Sequence, residues 1–131
     1  DVLSLAPPDG MFMEEIQKAL LIVAENSKSS KKTVVVRMMF GNIVGRPVNA
    51  TSVIKKLTEN LPSNANLELW VGAWRKGLSW NHAKIIAVDG LHLHTGGHNM
   101  WDAHYLKHNP IHDLSLELKG RLAHDGHLFA N

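Results

Sequence analysis

The sequence contains no cysteine among its 131 residues. Disulfides, thiol catalysis and thiolate-bound metals are therefore excluded, although this absence does not distinguish a reducing compartment from an oxidising one. An excess of one charge is also missing, because 14 basic and 12 acidic residues leave a formal net charge of +2. Such a weak charge gives little support to nucleic-acid binding, which usually requires a strongly basic surface.

Long hydrophobic runs are absent as well. The longest apolar stretch, residues 19–24, is far shorter than the roughly 20 residues of a membrane-spanning helix, and no signal-peptide pattern precedes it. With 44% hydrophobic residues the chain can still build a core, so residues 1–131 are predicted to form a single domain. The chain starts at Asp1 rather than Met and ends directly after an apolar stretch, which leaves open that it is a fragment.

The periodicity of apolar residues predicts alternating helices and strands. Helical spacing covers residues 11–25, a second stretch marked by Val53 and Leu61, and residues 121–130. Strands are predicted at residues 33–40, 66–72 and 112–118, with a hairpin formed by residues 81–88 and 91–95. The apolar run at 33–40 is typical of a strand buried on both faces. The fold class predicted is α/β, a mixed sheet flanked by helices.

Six residues at fixed spacing stand out in the predicted hairpin. In the order H-x-K-x4-D-x6-G-G-x-N they are His82, Lys84, Asp89, Gly96, Gly97 and Asn99. Side chains two apart in a strand share a face, so we expect His82 and Lys84 to point the same way. The turn at Asp89 should return the second strand, and with it Asn99, to their side. The hairpin is therefore predicted to gather these side chains around one site.

These residue types suit a phosphate group. Lys84 supplies positive charge, Asn99 supplies amide donors, and Gly96 and Gly97 permit close approach of the backbone. A neutral imidazole at His82 can attack phosphorus if its other ring N–H is held by an acceptor, so a carboxylate partner is expected. Asp89 precedes Gly90 at the predicted turn, and this pair is interpreted as structural.

The complete motif resembles the signature of the phospholipase D superfamily. The resemblance is good from Trp80 to Gly120. In this region the sequence is more similar to one half of a bilobal phospholipase D-like protein than to small single-motif nucleases. It implies hydrolysis of a phosphodiester, or phosphatidyl transfer to an alcohol, through a phosphohistidine at His82 with no cofactor and no metal. It also implies that Asp113, on the strand after the motif, orients His82.

The same resemblance implies a second histidine from a second motif, whereas this chain has one copy. A homodimer that pairs two His82 side chains, as in an endonuclease, is one solution, and a separate motif-bearing half is another. A catalytically incomplete half-domain that only binds phosphate is a third. The weak net charge and the resemblance to bilobal phospholipase D-like proteins favour a phospholipid over a nucleic acid as substrate. Head group and compartment are not assigned.

Other side chains have competing interpretations. Nine histidines suggest zinc, but without cysteine or an H-E-x-x-H pattern we expect surface or loop histidines and no metal. Trp80 and Trp101 flank the motif and are the better candidates for a substrate groove among four tryptophans. Arg75 and Lys76 are interpreted as a solvated basic pair outside the site.

Overall fold

The fold is known from a computed structural model that describes residues 1–108 and 111–131. The elements in chain order are β1 (Val2–Ser4), α1 (Gly10–Ser27), β2 (Val34–Gly41), α2 (Ala50–Thr58), β3 (Leu67–Lys76), β4 (Ser79–Trp80), β5 (Ile85–Val88), β6 (His92–Gly96), a π-helix (Ala103–Lys107), β7 (Ser115–Lys119) and α3 (Arg121–Ala130). The seven strands form one sheet in the order β4-β3-β2-β1-β5-β6-β7. This confirms the predicted α/β class, a mixed sheet flanked by helices. None of the described helices is long and apolar enough to cross a bilayer.

Most predicted elements are present with small changes in their bounds. Helix α3 has the predicted bounds, and α1 and β2 differ by one or two residues at each end. Strand β3 continues to Lys76, beyond the predicted end at residue 72, because its last residues pair with β4. Strands β1 and β4 were not predicted, since strands of three and two residues are too short to show a period.

The directions of the strands bring the motif to one edge of the sheet. Strands β1, β2 and β3 are parallel, whereas β5 and β7 run against them and β6 runs with them. The carboxyl ends of β1, β2, β3 and β6 therefore meet the amino ends of β5 and β7 at the same edge, which we call the motif edge. His82, Lys84, Asn99 and Asp113 all belong to segments at this edge, and the Asp89 turn lies at the opposite one. Ligands commonly bind outside the carboxyl ends of strands in open α/β sheets.

The two faces of the sheet are covered unequally. Helices α1 and α2 pack on one face, where the core includes Met38, Phe40 and Leu57. On the other face, α3 covers β5 and β6 through Ala123. Val35 and Met39 of β2, which α3 does not cover, are 48% and 43% exposed. The prediction that this strand is buried on both faces is therefore wrong, because none of the described helices packs over its second face.

Candidate functional site

Asn81 determines the course of the chain just before β5. Its side-chain amide donates hydrogen bonds to the carbonyl oxygens of Ser4 (3.0 Å) and Met39 (2.9 Å), near the ends of β1 and β2. Its Oδ1 accepts a bond from the N–H of Ala83 at 3.2 Å, which turns the chain locally. Pairing of β5 consequently starts only at Ile85. The predicted strand is wrong for residues 81–84, so strand alternation does not place His82 and Lys84 on a common face.

Gly41 makes this arrangement possible, a role that the sequence did not predict. A Cβ added at Gly41 would overlap the carbonyl oxygens of Asn81 and Leu5. The backbone N–H of Gly41 also donates to the Leu5 carbonyl at 3.0 Å. Only a residue without a side chain allows β2 to end against the segment that carries His82.

His82 is exposed and borders a cleft on the side of the sheet where α3 lies. The cleft has a volume of about 510 Å³, and its walls include Met39, Trp74 and Trp80 together with the end of α3. Trp80 therefore lines a groove beside His82, as predicted. Trp101 lines neither this cleft nor the cavity described next, and its ring lies 5.6 Å from that of His104.

Lys84 borders a different, smaller cavity of about 20 Å³, which has room for about one water molecule. Ser4, His94 and His98 also line it. The Lys84 ammonium donates a hydrogen bond to the backbone carbonyl of His82 at 2.8 Å, so the contact involves the backbone of His82 and not its imidazole. Burial lowers the pKa of Lys84, and the nearby Asp113 carboxylate offsets part of that shift. His82 and Lys84 thus line separate cavities.

Asp113 lies close to Lys84 rather than in contact with His82. Its Oδ2 accepts a hydrogen bond from the Tyr105 hydroxyl at 2.8 Å. Burial lowers the pKa of both Lys84 and His98, and the charge of Asp113 offsets part of that lowering. Among the described residues no hydrogen bond joins Asp113 to His82. Tyr105, from the π-helix that the sequence did not predict, is therefore the residue that holds this carboxylate.

The motif glycines pack closely against the segment that leads into β7. A Cβ at Gly97 would overlap the Asp113 carboxylate, and one at Gly96 would overlap the Leu114 carbonyl and Ser115. The N–H of Gly97 already donates to the Leu114 carbonyl at 3.0 Å. The space beside Gly96 is thus filled by the backbone at the start of β7, which requires a residue without a side chain, whereas the space beside Gly97 is filled by the Asp113 carboxylate.

Asn99 is 7% exposed, and its Oδ1 has no hydrogen-bond partner among the described residues. The chain around it is fixed against the start of α1, because Asp9 donates its N–H to the Met100 carbonyl and accepts the N–H of Asp102. The Ser4 hydroxyl is likewise buried with no hydrogen-bond partner in the described part of the chain. Unpartnered buried polar groups cost about 1–3 kcal/mol each, and they are uncommon outside functional or strained positions.

His98, at the variable position of the motif, lines the small cavity together with Ser4 and Lys84, a role that the sequence did not predict. Its Nδ1 lies 2.5 Å from the Ser115 hydroxyl, and its ring is 5.2 Å from that of His94. Desolvation lowers the pKa of His98, His94 lowers it further, and Asp113 offsets part of the shift. Within residues 1–108 and 111–131, no group of three or more histidine and carboxylate side chains could hold a metal ion.

The lowered pKa of His98 predicts that stability depends on pH. A base with a lower pKa in the folded state takes up a proton on unfolding. Its contribution to the free energy of unfolding is therefore present above the unfolded pKa of about 6.5 and is lost as the pH falls below that value. We expect the midpoint of thermal unfolding to fall more steeply below about pH 6.5 in the protein than in His98→Asn. Unfolding scans across this range measure the difference.

Replacement of an exposed histidine provides the control for that experiment. His92 lies at the far end of β6 from His98, so His92→Asn should keep the steep dependence on pH. Parallel pH profiles for the protein and His98→Asn would contradict the assignment.

Comparisons with known proteins support an assignment at the level of a superfamily. No family model matches the chain. The chain is 30% identical over 138 aligned positions to "Phospholipase D" of Streptomyces antibioticus, an alignment that covers 94% of the chain and 23% of that protein. The chain therefore spans about a quarter of the length of this relative. At this distance the similarity supports the phospholipase D superfamily and a hydrolase-type family.

Proposed function

We propose that the protein carries one half of a phospholipase D-type site, which hydrolyses a phosphodiester or transfers its phosphatidyl group to an alcohol. The observation that carries this proposal is the motif edge, where the segments bearing His82, Lys84, Asn99 and Asp113 meet although they come from different strands. The similarity to a phospholipase D supports the same class of reaction.

In the proposed reaction, a ring nitrogen of His82 attacks phosphorus, and the bond from phosphorus to the first alcohol breaks. An acid supplies the proton that this alcohol needs to leave. Water or a second alcohol then attacks the phosphohistidine, loses its proton to the same group and restores the free imidazole. Lys84 neutralises charge on the phosphoryl oxygens, the Asn99 amide N–H groups donate hydrogen bonds to them, Asp113 orients the imidazole, and no cofactor is required.

This role requires the His82 side chain to turn from its cleft towards Lys84 when a diester binds. Such a movement has a low cost for two reasons. His82 is exposed and lies outside the β5 ladder, and no hydrogen bond among the described residues holds its imidazole. The Lys84 ammonium, whose pKa is lowered by burial, is a donor that an incoming anion would satisfy. The unpartnered Asn99 Oδ1 is an acceptor, so it would instead need a donor such as a substrate hydroxyl or water.

The proton donor for the leaving alcohol is proposed to come from a second motif, on another half or on a second copy of this chain. The relative is much longer than the aligned region, which is compatible with further parts of such a site. Phospholipid is the preferred substrate, because the net charge of +2 offers little attraction for a nucleic acid.

A phosphate-binding half-domain without turnover is the second candidate. It is favoured by one observation, that His82 and Lys84 border separate cavities. On this hypothesis Lys84 and the neighbouring histidines bind an anion while His82 stays in its cleft.

Release of nitrophenol from a bis(nitrophenyl) phosphate distinguishes the two candidates. Nitrophenolate leaves without being protonated, so the first step should proceed without a second histidine, and a chelator should not change its rate. Strong inhibition by the chelator would contradict the metal-free mechanism. Binding of inorganic phosphate with no nitrophenol release would favour the half-domain, and turnover of oligonucleotides by a stable dimer would favour a nuclease.

A further inference from the structure

Strands β3 and β4 form a hairpin whose tip carries an exposed leucine. Arg75 pairs with Trp80 and Lys76 with Ser79, which leaves Gly77 and Leu78 as the turn. Gly77 has a φ of 59°, as the first turn position of a two-residue hairpin requires. Leu78 is 83% exposed, more than any other large hydrophobic side chain that the structure describes. An added Cβ at Gly77 would contact nothing, so the turn is surrounded by open space.

The side chains of residues 74–80, which we call the hairpin tip, are those of a membrane-interface anchor. Two tryptophans and Leu78 provide apolar surface, Arg75 and Lys76 provide charge, and the tip has no acidic residue. Among the ion pairs of the described residues, neither cation has a carboxylate within 4.0 Å. Tryptophan prefers the boundary between lipid head groups and chains, and basic residues are attracted to anionic head groups.

The hairpin tip also adjoins the proposed site. Trp74 and Trp80 form part of the wall of the cleft of about 510 Å³ that His82 borders, and Trp80 precedes His82 by two residues. Strand β3 reaches the motif edge at its carboxyl end, where β4 turns back. A surface that binds the tip would consequently lie at the mouth of this cleft.

We infer that the hairpin tip docks on an anionic lipid surface, with Leu78 inserted among the head groups and Arg75 and Lys76 in contact with their phosphates. The cleft beside His82 then opens directly onto that surface. Binding to lipid requires no chemistry, whereas its use for turnover rests on the proposed function. A nucleic acid fits the tip less well, because an aliphatic side chain at the apex offers neither a ring for stacking nor charge.

Sedimentation with vesicles tests this inference. The protein should bind vesicles of equimolar phosphatidylserine and phosphatidylcholine more tightly than vesicles of phosphatidylcholine alone, and salt should weaken the binding. Leu78→Ser should lower the affinity about tenfold, because a leucine is no longer buried. The double variant Arg75→Gln/Lys76→Gln should lower it roughly 10- to 30-fold, and only for the anionic vesicles.

Matched controls lie at the opposite edge of the sheet. Leu91→Ser changes an exposed leucine in the β5 to β6 turn, and Lys31→Gln/Lys32→Gln removes two exposed lysines before β2. Both should bind vesicles as the unchanged protein does. Equal affinities for Leu78→Ser and Leu91→Ser would overturn the inference, and so would tighter binding to a single-stranded oligonucleotide than to the anionic vesicles.

The outcome for lipid docking can be separated from that for catalysis. Leu78→Ser should release nitrophenol from the soluble diester as fast as the unchanged protein does, because Leu78 lies outside the catalytic group. His82→Ala should bind vesicles normally. If no diester is turned over while Leu78→Ser still weakens vesicle binding, docking stands and the proposed function fails.

Discussion

Replacement of His82 by alanine is expected to lower kcat/KM for a phosphodiester by at least about 10⁴-fold, equivalent to roughly 5.4 kcal/mol of lost transition-state stabilisation. The imidazole is the proposed nucleophile, and no other side chain would replace the covalent step. Because His82 is exposed and its imidazole has no hydrogen bond among the described residues, the variant should fold normally. Release of nitrophenol under initial-rate conditions measures the loss, and circular dichroism checks the fold.

The covalent intermediate offers a second readout for the same variant. A phosphoryl group on His82 should survive an alkaline quench and be lost in acid, as expected of a phosphorus to nitrogen bond. His92→Ala is the matched control, since His92 is also exposed but lies at the opposite edge. Labelling that persists in His82→Ala, or turnover within tenfold of the unchanged protein, would remove His82 from the mechanism.

Lys84→Met is expected to lower kcat by about 10²- to 10³-fold, the usual effect of deleting one charged donor to a transferring group. The effect should fall mainly on kcat, because negative charge develops on the phosphoryl oxygens in the transition state. Methionine keeps most of the aliphatic stem, so the walls of the small cavity shared with Ser4 and His98 are preserved. Steady-state kinetics on the same diester separate kcat from KM.

Lys119→Met controls for a general loss of positive charge. Lys119 is exposed at the end of β7, on the opposite edge of the sheet from Lys84. Its replacement should leave both kinetic constants unchanged. A variant at Lys84 that loses only affinity, with kcat intact, would show that the ammonium attracts the substrate without acting on the transition state.

Much of the fold could be predicted because its elements repeat their pattern over enough residues. Helix α3 has the predicted bounds, and both residues of the Asp89 and Gly90 turn have the positive φ that this pair favours. The exceptions have physical causes. Three residues of β1 cannot establish a period, and the exposed second face of β2 depends on where helices pack, which its own apolar composition does not reveal.

The candidate site could be predicted less fully than the fold. The spacing of the motif located the residues, and the strand directions bring their segments to one edge. The expected common face of His82 and Lys84 failed because the Asn81 side chain competes with the ladder for backbone groups. The partner of Asp113 depends on the π-helix that carries Tyr105, and a tertiary contact of this kind leaves no local signal in one sequence.

The two hydrogen bonds from the Asn81 side chain to backbone carbonyl oxygens couple local unfolding of the site to that of the sheet. Exposing residues 81–84 to solvent breaks the bonds to Ser4 and Met39, so β1 and β2 lose contacts in the same event. The backbone amide of Ala83, which donates to Asn81 Oδ1, should therefore exchange with deuterium at a rate close to those of β1, rather than at the fast rates typical of surface loops.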